Sequence, residues 1–82
     1  MEPEPKPKTE IRFLLVLDFE ATCIEYGKLE PCSEIIEFPV KVIDTYSGKV
    51  VSVFHEYVKP TFNKKLSKFC TNLTGITQEM VD

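Results

Sequence analysis

The sequence predicts a small α/β fold, and three observations support this prediction. A nearly continuous apolar run ends at two acidic residues, as in a strand that is covered on both faces. Two later segments rich in β-branched and aromatic residues flank a turn, which predicts an antiparallel hairpin. After them, apolar residues recur at helical spacing. With 82 residues, of which 43% are hydrophobic, the chain is sized for one domain.

The chain begins with a segment that is predicted to lie outside this domain. Residues 1–10, MEPEPKPKTE, alternate proline with charged residues and suit neither a helix nor a central strand. They predict a disordered leader or linker, so the domain is expected to span residues 11–82. The first strand is the run IRFLLVLDF, residues 11–19.

The predicted hairpin follows this strand. Its two strands are EIIEFPVKVID, residues 34–44, and VVSVFHEYVKP, residues 50–60, and the turn residues TYSGK join them. Pro39 lacks a backbone N–H, so it predicts a bulge or a local loss of ladder bonding.

The last part of the chain predicts one short helix and the start of another. Gly75 is placed to end the first helix, and Thr77 is placed to cap the second. The apolar positions that recur at helical spacing in the first helix are Leu66, Phe69, Cys70 and Leu73.

The net charge limits how the chain could hold a nucleic acid. The formal charge is −3, so the sequence provides no overall basic field. Divalent cations between acidic side chains and phosphates would supply the missing positive charge.

The cysteines indicate a compartment. Cys23, Cys32 and Cys70 are odd in number and follow no secretory signal, which predicts an intracellular protein, cytoplasmic, nuclear or both, with the thiols as small buried hydrophobes. A zinc site that adds His55 is disfavoured, because the spacing typical of such sites is absent. No apolar run reaches the length of a membrane span, so no membrane partner is expected.

Asp18 and Glu20 are the candidate functional residues. Side chains alternate along a strand, so the two carboxylates project from one face, roughly 6.5–7 Å apart along the strand. Hard oxygen ligands at this spacing suit Mg²⁺ or Mn²⁺. The pattern D-x-E by itself also fits a strand end with solvated acids, so these residues alone leave both interpretations open.

Longer blocks of sequence resemble a known family. The blocks DFEATC, EIIEFPVKVID, HEYVKPTFNKKLSKFCTNLTGIT and QEMVD occur in the order found in the DEDDh class of 3′-to-5′ exonucleases, which have the RNase H-like fold. Within this class, the chain is similar to the subgroup that trims the 3′ ends of histone mRNA, ribosomal RNA and small interfering RNA. The resemblance covers residues 11–82.

The resemblance implies a fold and a metal site. The expected fold is α/β and RNase H-like, truncated to its first three strands and the start of its first helices. Asp18 and Glu20 match the first acidic motif, which implies that both are catalytic metal ligands and that Asp18 bridges two Mg²⁺ ions, with Mn²⁺ as a substitute. Two ions in this arrangement activate the attacking water and stabilise the leaving oxygen.

The same resemblance implies contacts with the 3′ end of a single-stranded RNA or a short overhang. Glu20, Ala21 and Thr22 would lie against the sugar of the terminal nucleotide. A second set, on the predicted helix and in the LTGI block, would surround its base, with Phe69 stacking on it beside Leu73 and Thr74. Helical spacing alone is also compatible with ordinary core packing of Phe69 and Leu73.

Other motifs of the family have no counterpart in the 82 residues. The family's histidine and two further aspartates come later, so His55 is interpreted as a strand residue without a catalytic role. Asp82 is assigned to the start of a helix, and Glu34 and Glu37 to the strands and loops. The C-terminal half of the domain is therefore expected to be absent.

Two functions remain in view. The first is the N-terminal part of a Mg²⁺-dependent 3′-to-5′ exoribonuclease domain that hydrolyses phosphodiester bonds at RNA 3′ ends. The second is a catalytically inactive truncated product that acts as a binding or competing module. On either view, the 82 residues alone are expected neither to degrade RNA nor to form a compact monomer.

Overall fold

The structure, a computed structural model, describes residues 11–82, so the predicted leader at residues 1–10 lies outside the described residues. The elements follow one another as β1 (Phe13–Leu17), β2 (Glu20–Ala21), β3 (Ile35–Asp44), β4 (Lys49–Tyr57), α1 (Lys68–Thr74) and α2 (Gln78–Val81). The three predicted strands and two predicted helices are confirmed, and β2 is an additional element.

All strands belong to one antiparallel sheet built around β3. β1 and β2 pair with successive parts of β3 along one edge, and β4 pairs with the other edge. The register shifts at two places. One shift lies between Glu20 and Ala21 of β2, where Ile36 of β3 is left without a partner, and the other lies between Val42 and Ile43 of β3, where Val51 of β4 is left without one. Pro39 itself stays in register with His55, so the bulge that it could have produced is not found there.

A tight turn joins β3 to β4, as the residues TYSGK predict. Gly48 has φ of +71°, a left-handed conformation that suits glycine, and its N–H donates to the carbonyl of Asp44 over 2.7 Å. The carboxylate of Asp44 accepts the N–H of Tyr46 at 2.9 Å. The guanidinium of Arg12 lies 4.4 Å from the centroid of the Tyr46 ring, which ties the turn to the start of β1.

Gly75 and Thr77 occupy the predicted capping positions, but α1 begins later than predicted and leaves Leu66 before the helix. Ser67 is the N-cap of α1, and its hydroxyl accepts the N–H of Cys70 at 3.0 Å. Gly75, with φ of +78°, closes the helix by donating its N–H to the carbonyl of Thr71. Thr77 is the N-cap of α2. Among the described residues, no helix is long and apolar enough to cross a membrane.

A small core lies where the helices meet the start of β3. It consists of the buried side chains of Ile36, Cys70, Ile76 and Val81, with Cys23 and Leu66 packed against it. Every residue of β1 and β4 is exposed, so the far end of the sheet contributes nothing to this core. Burial of the thiols is confirmed for Cys70, but it is wrong for Cys32, which is exposed on a loop.

Candidate active site

Asp18 lies where the edge strand next to β3 is interrupted. The register in which β1 pairs with β3 continues to Glu20, which lies opposite Glu37, and shifts at Ala21. Only Asp18 and Phe19 lie between the two strands. The predicted first strand is thus shorter than expected and resumes for two residues at Glu20.

Pro39 provides a physical reason for this interruption. It lies opposite His55 of β4, and the continued register of β1 places it opposite Asp18. Val58 donates its N–H to the carbonyl of Ile36 at 2.8 Å. Counted along the ladder from that bond, Pro39 and His55 are a pair without mutual hydrogen bonds, so the backbone of Pro39 faces Asp18. Proline has no N–H to donate there, and the predicted loss of ladder bonding is confirmed.

Asp18 and Glu20 share one face of the sheet, which we call the acidic face. Alternation along the register places both on the side opposite to Phe19. Phe19 contacts Phe38 on the other face, with ring centroids 4.6 Å apart. A cavity of about 350 Å³ on the acidic face is lined by Val16, Asp18, Glu37, Pro39 and Lys41.

Glu37 is a third carboxylate of the acidic face. Its Oε2 lies 2.6 Å from Nε2 of His55, whose ring meets that of Tyr57 edge-on at 4.7 Å between centroids. His55 thus lies in β4 and orients Glu37. Within residues 11–82, no group of three His, Cys, Asp or Glu side chains is arranged to hold a metal ion. The acidic face therefore offers oxygen ligands without a complete coordination shell.

Ala21 and Thr22 continue from Glu20 into the small core. Thr22 is buried, and its hydroxyl accepts the N–H of Glu34 at 2.8 Å while its own N–H donates to the carbonyl of Glu34 at 2.8 Å. The carbonyl of Ala21 accepts the Cys70 thiol at 3.7 Å. The short strand β2 is therefore fastened both to β3 and to α1.

The chain after Thr22 is also fastened to α1. The hydroxyl of Ser67 donates to the carbonyl of Cys23 at 2.7 Å. Burial raises the pKa of the Cys23 thiol, and a hydrogen bond with the Cys70 thiol and the nearby charge of Glu20 raise it further. Because the reactive form of cysteine is the thiolate, Cys23 is suited to packing and not to nucleophilic chemistry.

The residues predicted to surround a terminal base lie on α1, but they differ in exposure. Leu73 is 67% exposed, so the core interpretation of this side chain is wrong. Phe69 is half-buried. The hydroxyl of Thr74 donates to the carbonyl of Cys70 at 2.8 Å and accepts the N–H of Ile76 at 3.1 Å, so it stabilises the end of the helix.

Sequence reasoning missed a carboxylate that holds a loop. Both oxygens of Glu34 accept backbone N–H groups, from Thr61 at 2.6 Å and from Phe62 and Asn63 at 3.0 Å each. These hydrogen bonds lower the pKa of the Glu34 carboxyl, and the bond from Asn63 has the largest effect. No local pattern reveals this contact, because its partners lie 27 to 29 residues away in the chain.

A second missed feature is a basic segment. Lys59, Lys64, Lys65 and Lys68 fall within ten residues, and residues 57–78 contain no Asp or Glu. The sequence carries this signal plainly, but the net charge of −3 conceals it because the acids lie elsewhere.

Comparison with known families and sequences identifies relatives. The profile of the RNase_T family, an exonuclease family, matches residues 15–82. The 3′-5′ exoribonuclease 1 of Rattus norvegicus is 49% identical over 70 residues, which cover 85% of this chain and 20% of that protein. ERI1 exoribonuclease 2 of Mus musculus is 50% identical over 70 residues, or 85% of this chain and 10% of that protein. The chain thus spans a fifth or less of the length of these relatives.

The chain also resembles solved structures of exonucleases. A 3′-exonuclease that recognises the 3′ end of the histone mRNA stem-loop superposes with a TM-score of 0.84 at 44% identity, covering 92% of this chain and 33% of that one. The nuclease domain of 3′hExo, a DEDDh family member bound to rAMP, superposes with a TM-score of 0.81 at 46% identity, covering 87% and 36%.

Proposed function

The chain belongs to the RNase_T exonuclease family and has the α/β, RNase H-like fold of the DEDDh exonucleases, and from this premise we propose that residues 11–82 form the N-terminal part of a 3′-to-5′ exoribonuclease domain. In this proposal Asp18 and Glu20 bind catalytic metal ions and the substrate is the 3′ end of an RNA. The observation that carries the proposal is the position of both acids on one face of an interrupted edge strand, beside a cavity.

The donor set of the acidic face suits Mg²⁺. Carboxylate oxygens are the ligands that Mg²⁺ prefers, and this ion usually takes only one or two of them and completes its shell with water and phosphate. Asp18 is exposed and Glu20 half-buried, so both are accessible. When bound, a pair of such ions supplies the charge that activates water and stabilises the leaving oxygen.

The other residues would orient the substrate. Asp18 and Glu20 attract the cations that neutralise the phosphate. The turn at Ala21 and Thr22 has small side chains and a backbone fixed by Glu34 and Cys70, which permits close approach of a terminal sugar without rearrangement.

The surface that receives the terminal base would be formed by α1. Leu73 is exposed and Phe69 half-buried, so their surfaces remain available for a base. Stacking on an aromatic ring contributes about 1–3 kcal/mol per base and tolerates any base, which suits an enzyme that shortens RNA of varied sequence.

A hybrid protein tests this proposal. In the hybrid, the matched residues of this chain replace the corresponding 70-residue segment of the rat 3′-5′ exoribonuclease 1. We expect it to shorten a 5′-labelled RNA in Mg²⁺ and to stop when EDTA removes the ion. Asp18→Asn and Glu20→Gln should each abolish turnover with RNA binding largely retained, because each removes a charge with little change in volume.

A matched acid provides the control. Glu56 of β4 lies opposite Phe38 and therefore projects from the other face of the sheet, so Glu56→Gln should leave turnover unchanged. Near-normal turnover of the Glu20→Gln hybrid would contradict the metal assignment. A hybrid that binds RNA but has no turnover even before substitution would instead favour the binding or competing module.

A further inference from the structure

The connection between β4 and α1, together with the first residue of α1, concentrates positive charge. Residues 59–68, which we call the lysine segment, contain Lys59, Lys64, Lys65 and Lys68, and all four side chains are exposed. The rest of the chain has six basic and thirteen acidic residues, a net charge of −7. Among residues 11–82, the lysine segment is therefore the part with the greatest concentration of positive charge, which an anion would approach favourably.

The lysines are not neutralised by neighbouring acids. Within residues 11–82 the ion pairs join Arg12 to Asp44 and His55 to Glu37, and neither involves a lysine. Lys59, Lys64 and Lys65 line a concavity of about 390 Å³ together with Gln78 and Asp82. The carboxylate of Asp82 accepts a hydrogen bond from Nε2 of Gln78 at 3.0 Å, so it is directed at the amide and not at a lysine.

The backbone of the lysine segment is fixed, although its four lysines form no ion pair within the described residues. Glu34 accepts the N–H groups of residues 61–63. Further along, Oε1 of Gln78 accepts the N–H of Leu66 at 2.7 Å, and Nε2 of Gln78 donates to the carbonyl of Lys64 at 2.8 Å. A charged surface on a fixed backbone loses less entropy on binding than a mobile loop does.

The surroundings of the lysine segment favour a nucleic acid over an acidic polypeptide. Phe62 lies among the lysines with 63% of its surface exposed, and Leu73 is exposed on the adjoining helix. Aromatic side chains interleaved with basic ones suit a single strand, since bases stack on the rings while phosphates meet the charges. The bond from Ser67 to the carbonyl of Cys23 also places the end of the segment against the chain that leaves Glu20.

We propose that the lysine segment binds the phosphates of a single-stranded RNA upstream of the 3′ end that reaches the acidic face. The proposal rests on the proposed function for its direction, and the lysines act on binding and not on chemistry. They attract the strand without a divalent cation, whereas Asp18 and Glu20 need one. Chelation of divalent cations would therefore remove the contribution of Asp18 and Glu20 to RNA binding and leave that of the lysine segment.

A binding measurement in EDTA tests this inference. The probe is a 5′-fluorescein-labelled oligouridylate of about 12 nucleotides, and its anisotropy with the 82-residue chain is followed across salt concentrations. Lys64→Gln with Lys65→Gln should weaken binding several-fold and reduce the slope of log K against log salt by about 1.4, since each lost phosphate contact contributes about 0.7.

The matched control removes the same charge elsewhere. Lys28 and Lys49 are exposed and lie outside the lysine segment, so Lys28→Gln with Lys49→Gln should keep the affinity and the slope. Equal losses in the two double variants would overturn the inference, because net charge alone would then explain binding. Equal competition by polyglutamate and by unlabelled RNA would also overturn it, in favour of an acidic polypeptide.

Failure of this inference is distinguishable from failure of the proposed function. Asp18→Asn should not weaken binding in EDTA, since no metal is present to be lost and the substitution removes a negative charge. A hybrid in which Asp18→Asn abolishes turnover, combined with equal losses in the two lysine variants, rejects only the lysine segment. Retained turnover of the Asp18→Asn hybrid, combined with a loss specific to Lys64 and Lys65, rejects only the metal assignment.

Discussion

The sheet and the loop-helix region, which comprises residues 22–34 and 58–82, are ordered by different interactions. In the sheet, β3 and β4 run for ten and nine residues with paired backbones, yet every side chain of β4 is exposed. In the loop-helix region the helices have only seven and four residues, yet Cys70, Ile76 and Val81 are buried there. Side-chain burial is therefore concentrated in the loop-helix region and at Ile36, at the start of β3, while the rest of the sheet is ordered mainly by backbone pairing.

This difference shows what fixes the acidic face. Asp18 and Glu20 belong to the edge of the sheet, where the ladder is broken at Pro39. The contact between Ala21 and Cys70 connects the same edge to α1 and so to the core. The orientation of the two acids thus depends on the loop-helix region as well as on strand pairing.

The largest expected effect concerns the exposed sheet. The side chains of β1 are all apolar and exposed, and such strands associate with copies of themselves unless a charge prevents it. We expect the 82-residue chain to elute as a species larger than a monomer, and Leu15→Lys to shift it toward the monomer. Size-exclusion chromatography with light scattering measures this.

A substitution in the loop-helix region is the control for association. Tyr26 is 83% exposed but lies outside the strands, so Tyr26→Lys should leave the elution unchanged. A monomeric unsubstituted chain would contradict the prediction, and so would an equal shift for both variants.

The next largest effect concerns the core. Ile76 is buried in the loop-helix region, so Ile76→Ala should lower the free energy of unfolding by about 2–5 kcal/mol. Val53 of β4 is 62% exposed, so Val53→Ala should cost much less. Urea titrations of both variants compare the two regions directly. Equal losses would show that the sheet is stabilised by burial to the same degree as the loop-helix region.

Much of the sheet could be predicted because its signals are local. β-branched and aromatic runs mark β1, β3 and β4, and turn residues mark their connection. Pro39 correctly predicts the interruption of the edge strand, because the hydrogen bond that its missing N–H cannot donate is lost at Pro39 itself. The bulge at Val51 could not be predicted, because it depends on how two strands are aligned. The two-residue strand β2 is too short to carry a periodic signal.

The site could be predicted only in part. Strand alternation places Asp18 and Glu20 on one face, as the register confirms. Helical spacing predicts α1, but it does not separate the buried Cys70 from the exposed Leu73. The bonds of Glu34 and Gln78 join distant segments and leave no local pattern. Their existence follows only from the packing of loops that the sequence leaves undefined.

The smallest expected effect compares two carboxylates, one in each region. The N–H of Asn63, followed by those of Thr61 and Phe62, lowers the pKa of Glu34 below its ordinary 4.5. In the hairpin turn, the N–H of Tyr46 and then Arg12 lower the pKa of Asp44 below its ordinary 3.8. Because the pKa of each carboxyl is lower in the folded chain, the ionised group stabilises the fold at any pH above its ordinary pKa. This stabilisation is lost as the pH falls through the pKa that the group has in the folded chain.

We therefore expect acid to loosen each segment through its own carboxylate. As the pH falls below 4.5, the protection of the amides of residues 61–63, measured relative to their intrinsic exchange at the same pH, should decrease. Glu34→Gln should remove this protection already at neutral pH and abolish its acid dependence. In the hairpin turn, amide protection should decrease as the pH falls below 3.8, and Asp44→Asn should remove that protection already at neutral pH. The same substitution should leave the protection of residues 61–63 unaffected. If Glu34→Gln altered both segments equally, the sheet and the loop-helix region would open as one cooperative unit. Exchange confined to the segment of the substituted residue would show that the two regions, which differ in how they are ordered, also open independently.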